Sequence, residues 1–323
     1  MADALTIKED EADLRLDRWF RRHFPGLQHG RLEKLLRTGQ IRVDGKRAKA
    51  NVRLVPGQTI RIPPGIEREP SGKAERPLVR EADVRFVQSL VIHRDRDVIA
   101  VNKPPGLAVQ GGTGTTRHLD GMLDALRFDA NERPKLVHRL DRDTSGVMLL
   151  ARSARAAAQL SEAFRHKSAR KIYWALVVGV PRPAQGKIDL ALAKEGGPLG
   201  ERVAGDDEGK RAITLYTVLD RAGDRAAWLA LLPLTGRTHQ LRVHCAEALG
   251  TPIVGDRKYG GDRAVLPGQE IGEHMHLHAR KLVLPHPAGG TLTVSAPLPE
   301  HMKATWRFFG FDPDAEDDPF PGL

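Results

Sequence analysis

The stretch VHRLDRDTSGVMLLA, residues 137–151, joins a cluster of charged side chains directly to an apolar run. The apolar part, residues 147–151, is short and unbroken, which predicts a buried strand. The charged part lies between Pro134 and that strand, so it belongs to a loop at the edge of a sheet. Loops held by rigid strands are common positions for catalytic groups. This stretch therefore predicts a reactive loop in front of a core strand.

Predicted strands outnumber helices around this stretch, and hairpin-like spacing recurs between them. One helix is expected after a Ser153 cap, with Ala157, Leu160 and Phe164 facing inward, and another over THQLRVHCAEALG. The other predicted strands are VIAVNK, KIYWALVVGV, ITLYTVL and AAWLALLPL. The pattern predicts an α+β domain with a mixed, mainly antiparallel sheet.

Residues 12–64 form a separate predicted unit with its own apolar periodicity. Two short amphipathic helices, broken at Pro25 and Gly26, are followed by strands around Ile41 and Val43 and by a closing strand, QTIRIP. The helical spacing i, i+3, i+4 is carried by Leu16, Trp19 and Phe20 and again by Leu32, Leu35 and Leu36.

Basic residues concentrate in this unit. Between residues 14 and 62 there are 13 Lys or Arg against three acidic residues, so this segment alone accounts for the net charge of +10 of the 323-residue chain. Such a compact concentration favours a nucleic acid partner over an ordinary solvated face. The segment resembles the S4 RNA-binding domain, which presents a basic surface to structured RNA. The predicted RNA contacts on that surface are Arg31, Lys34, Arg37, Arg42, Lys46 and Arg47.

The remaining boundaries follow from composition. Residues 65–82 mix proline with charged residues, lack apolar periodicity and are predicted to be a linker. The catalytic domain is expected over residues 83–309. Residues 310–323 are acidic and proline-rich, which predicts a disordered tail.

Composition also restricts the class of protein. The single Cys245 excludes an intramolecular disulfide framework and a cysteine-based zinc site. The first residues lack an apolar signal core, and no apolar run approaches the roughly 20 residues of a membrane span. We therefore expect a monomer in a reducing cytoplasm, without membrane association.

The two carboxylates of the charged loop permit more than one interpretation. A phosphate-transferring site of the DxDx[TV] type is disfavoured, because Thr144 stands one position too early and no apolar strand precedes Asp141. Asp143 is expected to join Thr144 in bonding the local backbone. Asp141 follows an apolar residue and is flanked by arginines, so it is the carboxylate that we expect in a pocket, kept ionised by an opposing cation.

A candidate for that cation lies in TGRTHQLRVH, residues 235–244. Leu241 and Cys245 belong to an inward-facing helical stripe, whereas His239 and Arg242 share another face. This placement would allow Arg242 to meet Asp141. The pattern leaves open the alternative that Arg242 forms an ordinary surface salt bridge.

Three blocks, VHRLDRDTSGVMLLAR, RKIYWALVVG and GRTHQLRVH, preceded by VNKPPG, closely resemble the pseudouridine synthases of the ribosomal large-subunit class. The resemblance extends over about residues 84–308 and is greatest to the type C enzymes. It implies the pseudouridine synthase fold and the isomerisation of specific uridines without a cofactor. The implied partner is RNA, either 23S ribosomal RNA or a large-subunit assembly intermediate.

The resemblance also implies roles for individual residues. Asp141 is the implied catalytic nucleophile, Arg242 its salt-bridge partner, and Tyr173 the aromatic residue that stacks on the uracil. Arg139 is implied to fill the gap that the flipped uridine leaves. Further predicted substrate or RNA contacts are His138, Lys103, Arg237 and His239. By itself, the alternation around Tyr173 favours ordinary core packing.

Two other functions remain open at this point. One is a catalytically silent RNA-binding or ribosome-assembly factor, which the joint presence of the three implied catalytic residues disfavours. The other is a zinc-dependent hydrolase built on His274, His276 and His278, which alternate along a predicted strand. Packing histidines are commoner than zinc ligands, so we predict no metal.

Overall fold

A computed structural model of the chain describes residues 3–66, 79–112, 115–166, 168–195, 202–206, 208–266, 271, 274–315 and 319–321. The chain divides into two compact units, Met1–Leu78 and Val79–Leu323. None of the helices in the described ranges is long and apolar enough to cross a membrane. Most of the predicted linker lies outside the described residues, and a helix begins at Glu81, within its predicted C-terminal end.

The N-terminal unit packs two helices against a four-stranded antiparallel sheet. Both predicted helices are confirmed, and their apolar stripes, including Trp19, Phe20 and Leu32, are buried. The sheet has the order β1–β4–β2–β3, and β1 lies before residue 12, so the unit begins earlier than predicted. The elements are β1 (Asp3–Thr6), α1 (Leu16–His23), α2 (His29–Arg37), β2 (Arg42–Val43), β3 (Lys46–Arg47) and β4 (Thr59–Ile62).

The C-terminal unit is built on one large sheet with helices beside it. Its helices are α3 (Glu81–Ser89), α4 (Leu119–Met122), α5 (Ala154–Arg165), α6 (Gln240–Val243), which continues as a π-helix over His244–Ala248, and α7 (Glu300–Phe309). Its strands are β5 (Val91–Arg94), β6 (Val98–Lys103), β7 (Lys135–Leu136), β8 (Ser145–Ala151), β9 (Arg170–Val178), β10 (Gln185–Asp189), β11 (Leu192–Glu195), β12 (Arg202–Gly205), β13 (Ile213–Ala222), β14 (Ala226–Pro233), β15 (Leu277–Pro285) and β16 (Thr291–Ser295). Short 3₁₀ helices cover Glu9–Glu11, Leu123–Leu126 and Gly261–Ala264.

The large sheet has the order β10–β13–β14–β9–β15–β8–β6–β5, with β16 paired to β15 and β7 to β8. Among the described strands of this sheet, β8 and β15 pair in parallel and the other pairs are antiparallel, which confirms the predicted mixed, mainly antiparallel α+β fold. Every residue of β8 and of β14 is buried. Continuous apolar runs predict such central strands, because both faces of the strand are covered.

The predicted disordered tail is wrong for the part that the structure describes. Phe311 and Phe320 are 4% and 7% exposed and pack in one cluster with Trp228 and Trp306. Their burial removes aromatic surface from water, a favourable contribution that outweighs the acidic and proline-rich composition around them.

Candidate active site

The charged loop before β8 is held in place where the backbone of Gly146 approaches that of Ala279 closely. Gly146 adopts a φ of +112°, and a Cβ at this position would overlap the backbone of Ala279 on β15. Only glycine tolerates both the dihedral and the contact. The register then places Gly146, Ala279, Tyr173 and Leu231 in one row across β8, β15, β9 and β14. The loop and Tyr173 are therefore held over the same part of the sheet.

Lys103 holds the loop from inside. Its ammonium group is completely buried and donates hydrogen bonds of 2.9, 3.0 and 2.9 Å to the backbone oxygens of Pro104, Leu107 and Arg142. Burial lowers the pKa of Lys103 to about 7, against the opposing influence of Asp143 and Asp141. The prediction that Lys103 contacts RNA is therefore wrong, because the side chain supports the residue next to Asp141 and does not reach the surface.

Asp141 lies in the wall of a cavity of about 350 Å³. Its side chain is 24% exposed, and its Oδ2 is 3.9 Å from Nε2 of His239. The amide of Thr144 donates to the Asp141 carbonyl at 3.2 Å, which closes the turn. Asp143 accepts a bond from the Arg142 side chain rather than from the backbone that we expected. The two carboxylates thus differ, and Asp141 is the one that faces the cavity.

The predicted ion pair between Asp141 and Arg242 is not formed. Arg242 pairs with Asp256 instead, with Nε 2.8 Å from Oδ2 and Nη2 2.6 Å from Oδ1. Both side chains are buried. Burial would lower the pKa of Arg242, but the Asp256 carboxylate more than offsets it and the net pKa is raised, with a smaller contribution from Asp141. Arg242 still lines the same cavity as Asp141.

His239 completes this wall of the cavity, but it is not on the helical face that we predicted. It is the residue before α6 and has a left-handed backbone with a φ of +54°. Its Nδ1 lies 2.6 Å from the hydroxyl of Tyr259. Burial lowers the pKa of His239, although the Asp141 carboxylate opposes the shift.

Tyr173 lines the same cavity and packs against two apolar clusters. Burial raises the pKa of its hydroxyl, and Asp141 adds to the shift, so the phenol stays protonated. Core packing is therefore observed for this residue together with a place in the cavity wall, and stacking on the uracil stays a prediction.

Lys171 lines the same cavity and precedes Tyr173 by two residues on β9, so both side chains belong to one face of the strand. Burial lowers the pKa of Lys171. The spacing in RKIYW contains this signal, but it is easily taken for an ordinary charged strand end.

The other predicted contacts of the catalytic unit differ in their exposure. Arg139 and Arg237 are exposed at the cavity mouth, where RNA contact is possible. His138 is half-buried and also lines the cavity; its Nε2 accepts the Leu149 amide at 2.8 Å, and its ring packs on Phe164. Burial lowers the pKa of His138 to about 3, so the ring is neutral at physiological pH. These contacts hold the ring in the cavity wall, and a contact of His138 with RNA stays a prediction.

The side chains of His276 and His278, two of the alternating histidines, are engaged by protein contacts. His278 bonds Ser145 and the Ala296 carbonyl, and His276 contacts Thr305 and the His274 carbonyl. In the described part of the chain, no group of three or more His, Cys, Asp or Glu side chains is arranged to hold a metal ion.

On the N-terminal unit, the predicted basic surface is largely exposed. Arg42 is the exception: it is half-buried and donates to the carbonyls of Gly39 and Gly45, so it also braces the turn. The exposed members are Arg31, Lys34, Arg37, Lys46 and Arg47.

Sequence reasoning missed two residues beside Arg242. Asp256 and Tyr259 stand three positions apart in GDRKYG, residues 255–260, which has no periodic apolar signal and was not singled out. The Tyr259 ring lies 4.9 Å from the Arg242 guanidinium, and its amide donates to Asp256 at 3.3 Å. The only available sequence signal for these two residues was an acidic and an aromatic residue close together, shortly after a predicted helix.

Residues 97–247 match the family model described as RNA pseudouridylate synthase. The chain is 34% identical to RNA pseudouridine synthase 4, mitochondrial, of Arabidopsis thaliana, over 94% of this chain and 81% of that protein. It is 36% identical to ribosomal large subunit pseudouridine synthase C of Rickettsia bellii, over 89% and 95% of the two chains. The solved structure of human RNA pseudouridylate synthase domain containing 4 aligns with a TM-score of 0.60 at 29% identity and covers 71% of this chain and 97% of its own.

Proposed function

The chain belongs to the RNA pseudouridylate synthase family, and we propose that it isomerises specific uridines of 23S ribosomal RNA with Asp141 as the nucleophile. The enzyme class is that of its relatives: uridine in RNA becomes pseudouridine. The observation that carries the assignment to Asp141 is the shared cavity, which Asp141, Tyr173 and Arg242 line together.

The reaction requires a nucleotide that has left the base stack, because the glycosidic carbon and C5 are inaccessible in a helix. The bond between N1 and C1′ breaks, the uracil turns, and C1′ is joined to C5, whose proton is released. An ionised carboxylate at Asp141 serves this exchange by attack at C1′, by assisting elimination to a glycal, or by addition at C6. The exchange involves no net redox change or hydrolysis, so we propose that it needs no cofactor.

The other walls of the cavity suit the detached uracil. Tyr173 offers an aromatic face for stacking and a phenol that burial keeps protonated. Arg242 adds a fixed positive charge next to Asp141, and its pairing with Asp256 holds it in place before the substrate arrives. Arg139, exposed at the mouth, is suited to occupy the space that the uridine vacates.

The N-terminal unit supports RNA affinity in this proposal. We assign it as an S4-type RNA-binding domain, extended at its start by β1, and assign the C-terminal unit as the catalytic domain. The exposed arginines and lysines of the N-terminal unit would contact phosphates, because the major groove of double-stranded RNA is too narrow for side chains to read. Selection of the uridine then falls to the catalytic unit. A monomeric state and a cytoplasmic location complete the proposal.

The proposal of 23S ribosomal RNA is tested with purified protein and unmodified transcripts. Pseudouridines are mapped after incubation with 23S ribosomal RNA and, in parallel, with 16S ribosomal RNA and transfer RNA. We expect new pseudouridines at defined positions of the 23S transcript. Modification confined to the other RNAs would overturn the proposed substrate and leave the enzyme class unaffected.

A further inference from the structure

Polar contacts connect the Asp141 carboxylate through His239 to the buried Tyr259. His239 faces Asp141 through Nε2, at 3.9 Å, and faces Tyr259 through Nδ1, at 2.6 Å from its hydroxyl. The two ring nitrogens therefore have different partners. In a neutral imidazole one nitrogen donates and the other accepts, so the partner of one nitrogen determines what the other can do.

The Tyr259 hydroxyl has a defined role in this chain. Its oxygen already accepts the Val203 amide at 3.3 Å, and in the described residues His239 Nδ1 is the acceptor within reach of its proton. Tyr259 is 4% exposed, so a hydroxyl proton without an acceptor would be costly. Burial also raises the pKa of Tyr259, which keeps that proton on the oxygen. Tyr259 is thus expected to donate to Nδ1.

We propose that Tyr259 fixes His239 as the tautomer protonated at Nε2, so that the neutral imidazole presents an N–H group to the Asp141 carboxylate. Both are positioning residues, and neither is required to exchange a proton. The separation of 3.9 Å is too long for a hydrogen bond, but such contacts commonly tighten when substrate binds. The left-handed backbone of His239 supports this role, since such strain is retained where the surroundings impose it.

The surroundings of His239 favour its neutral form. Burial lowers its pKa, and the nearby Arg242 and Lys258 lower it further, while Asp141 and Asp256 act in the opposite direction. A neutral His239 needs Tyr259 to select the tautomer. At low pH, His239 carries protons on both nitrogens, so it has no tautomer for Tyr259 to select.

The first test measures the tautomer directly by ¹⁵N NMR of the histidine side chains in the full chain, with His239→Gln used to assign the signal. We expect Nε2 protonated and Nδ1 unprotonated in the wild type, and a shift towards the other tautomer in Tyr259→Phe. Tyr216→Phe is the matched control, because it removes a buried hydroxyl that donates to the Pro183 carbonyl on another part of the sheet. Protonated Nδ1 in the wild type, or an unchanged tautomer in Tyr259→Phe, overturns the proposal.

The second test compares single-turnover rates of Tyr259→Phe and Tyr216→Phe on labelled RNA. At pH 8 we expect Tyr259→Phe to be slower by about tenfold, the effect of one hydrogen bond of ordinary strength. The ratio should approach one as the pH falls through the titration of His239 seen by NMR. A ratio that does not change with pH indicates a merely structural role and overturns the proposal.

This inference rests on Asp141 as the nucleophile, and the two can fail separately. Turnover by Asp141→Asn would refute the role of Asp141 as the nucleophile, whichever tautomer His239 adopts. The wrong tautomer, with an inactive Asp141→Asn, would refute the role of Tyr259 alone.

Discussion

Arg242 is held by Asp256 through two short hydrogen bonds, of 2.6 and 2.8 Å, and both side chains are almost completely removed from solvent. The cation next to the proposed nucleophile is therefore fixed before substrate binds. Asp141 in turn is not neutralised by a direct ion pair with Arg242, which leaves its carboxylate facing the cavity.

Removal of the Asp256 carboxylate should destabilise the protein. Asp256→Ala leaves the Arg242 guanidinium buried without a partner, and we expect the free energy of unfolding to fall by about 3–5 kcal/mol. Urea denaturation followed by circular dichroism measures it. Asp189→Ala is the control, since Asp189 pairs with Arg211 at an exposed site and should have little effect. Equal stability of the two variants would show that the buried pair contributes nothing.

Substitution at Gly146 should be severe. In Gly146→Ala the new Cβ meets the Ala279 backbone at a φ of +112°, so we expect a loss of at least about 3 kcal/mol in the free energy of unfolding. Gly223→Ala is the matched control: its φ is +58° with open space around it, and a loss of about 1 kcal/mol is expected. Thermal unfolding of the two variants compares them. A Gly146→Ala protein as stable as Gly223→Ala would contradict the close approach.

Stability should fall on mild acidification. Burial lowers the pKa of His138, His276 and His278 to about 3 in the folded protein, whereas unfolded histidine titrates near 6.5. Between these values the unfolded chain binds protons that the native protein does not. The stabilisation is therefore complete above pH 6.5 and decreases below it, by up to about 1.4 kcal/mol per pH unit for each histidine.

Urea titrations at pH 7.5, 6.5 and 5.5 check this dependence. His278→Gln should be less stable at pH 7.5, because its bonds to Ser145 and Ala296 are lost, and should show a flatter pH dependence. A free energy of unfolding that is constant or rises from pH 7.5 to 5.5 would be inconsistent with buried neutral histidines.

The basic helix of the N-terminal unit should control the salt dependence of RNA binding. Arg31, Lys34 and Arg37 are exposed on α2, and their joint replacement by Gln should lower the slope of log affinity against log salt by about 2–3, one counterion per lost phosphate contact. Filter binding over a salt series measures the slope. Arg182→Gln with Lys187→Gln, both exposed on the C-terminal unit, is the control. An unchanged slope in the triple variant would remove this helix from the RNA interface.

The sequence predicted those parts of the fold in which local pattern and tertiary environment agree. Strands such as β8 are continuous apolar runs, and α1 and α2 carry regular amphipathic spacing, so each was found from its own residues. The prediction of a disordered tail was wrong because the burial of Phe311 and Phe320 depends on partners far away in the chain.

The sequence predicted which residues line the candidate site better than it predicted which of them form ion pairs. Asp141, Tyr173 and Arg242 come together in one cavity. The partner of Arg242 was missed because Asp256 lies in an irregular segment, where no periodicity indicates which way a carboxylate points. Burial of the Lys103 side chain was also missed, since the backbone oxygens that accept its hydrogen bonds carry no sequence signal.

The most direct measurement of the central claim is tritium release from RNA labelled at uracil C5, with the wild type and Asp141→Asn compared in single turnover. The amide preserves the shape of Asp141 but cannot act as a carboxylate nucleophile, so we predict release at the uncatalysed background and unchanged RNA affinity. Substantial release by Asp141→Asn, at an affinity equal to that of the wild type, would contradict the account.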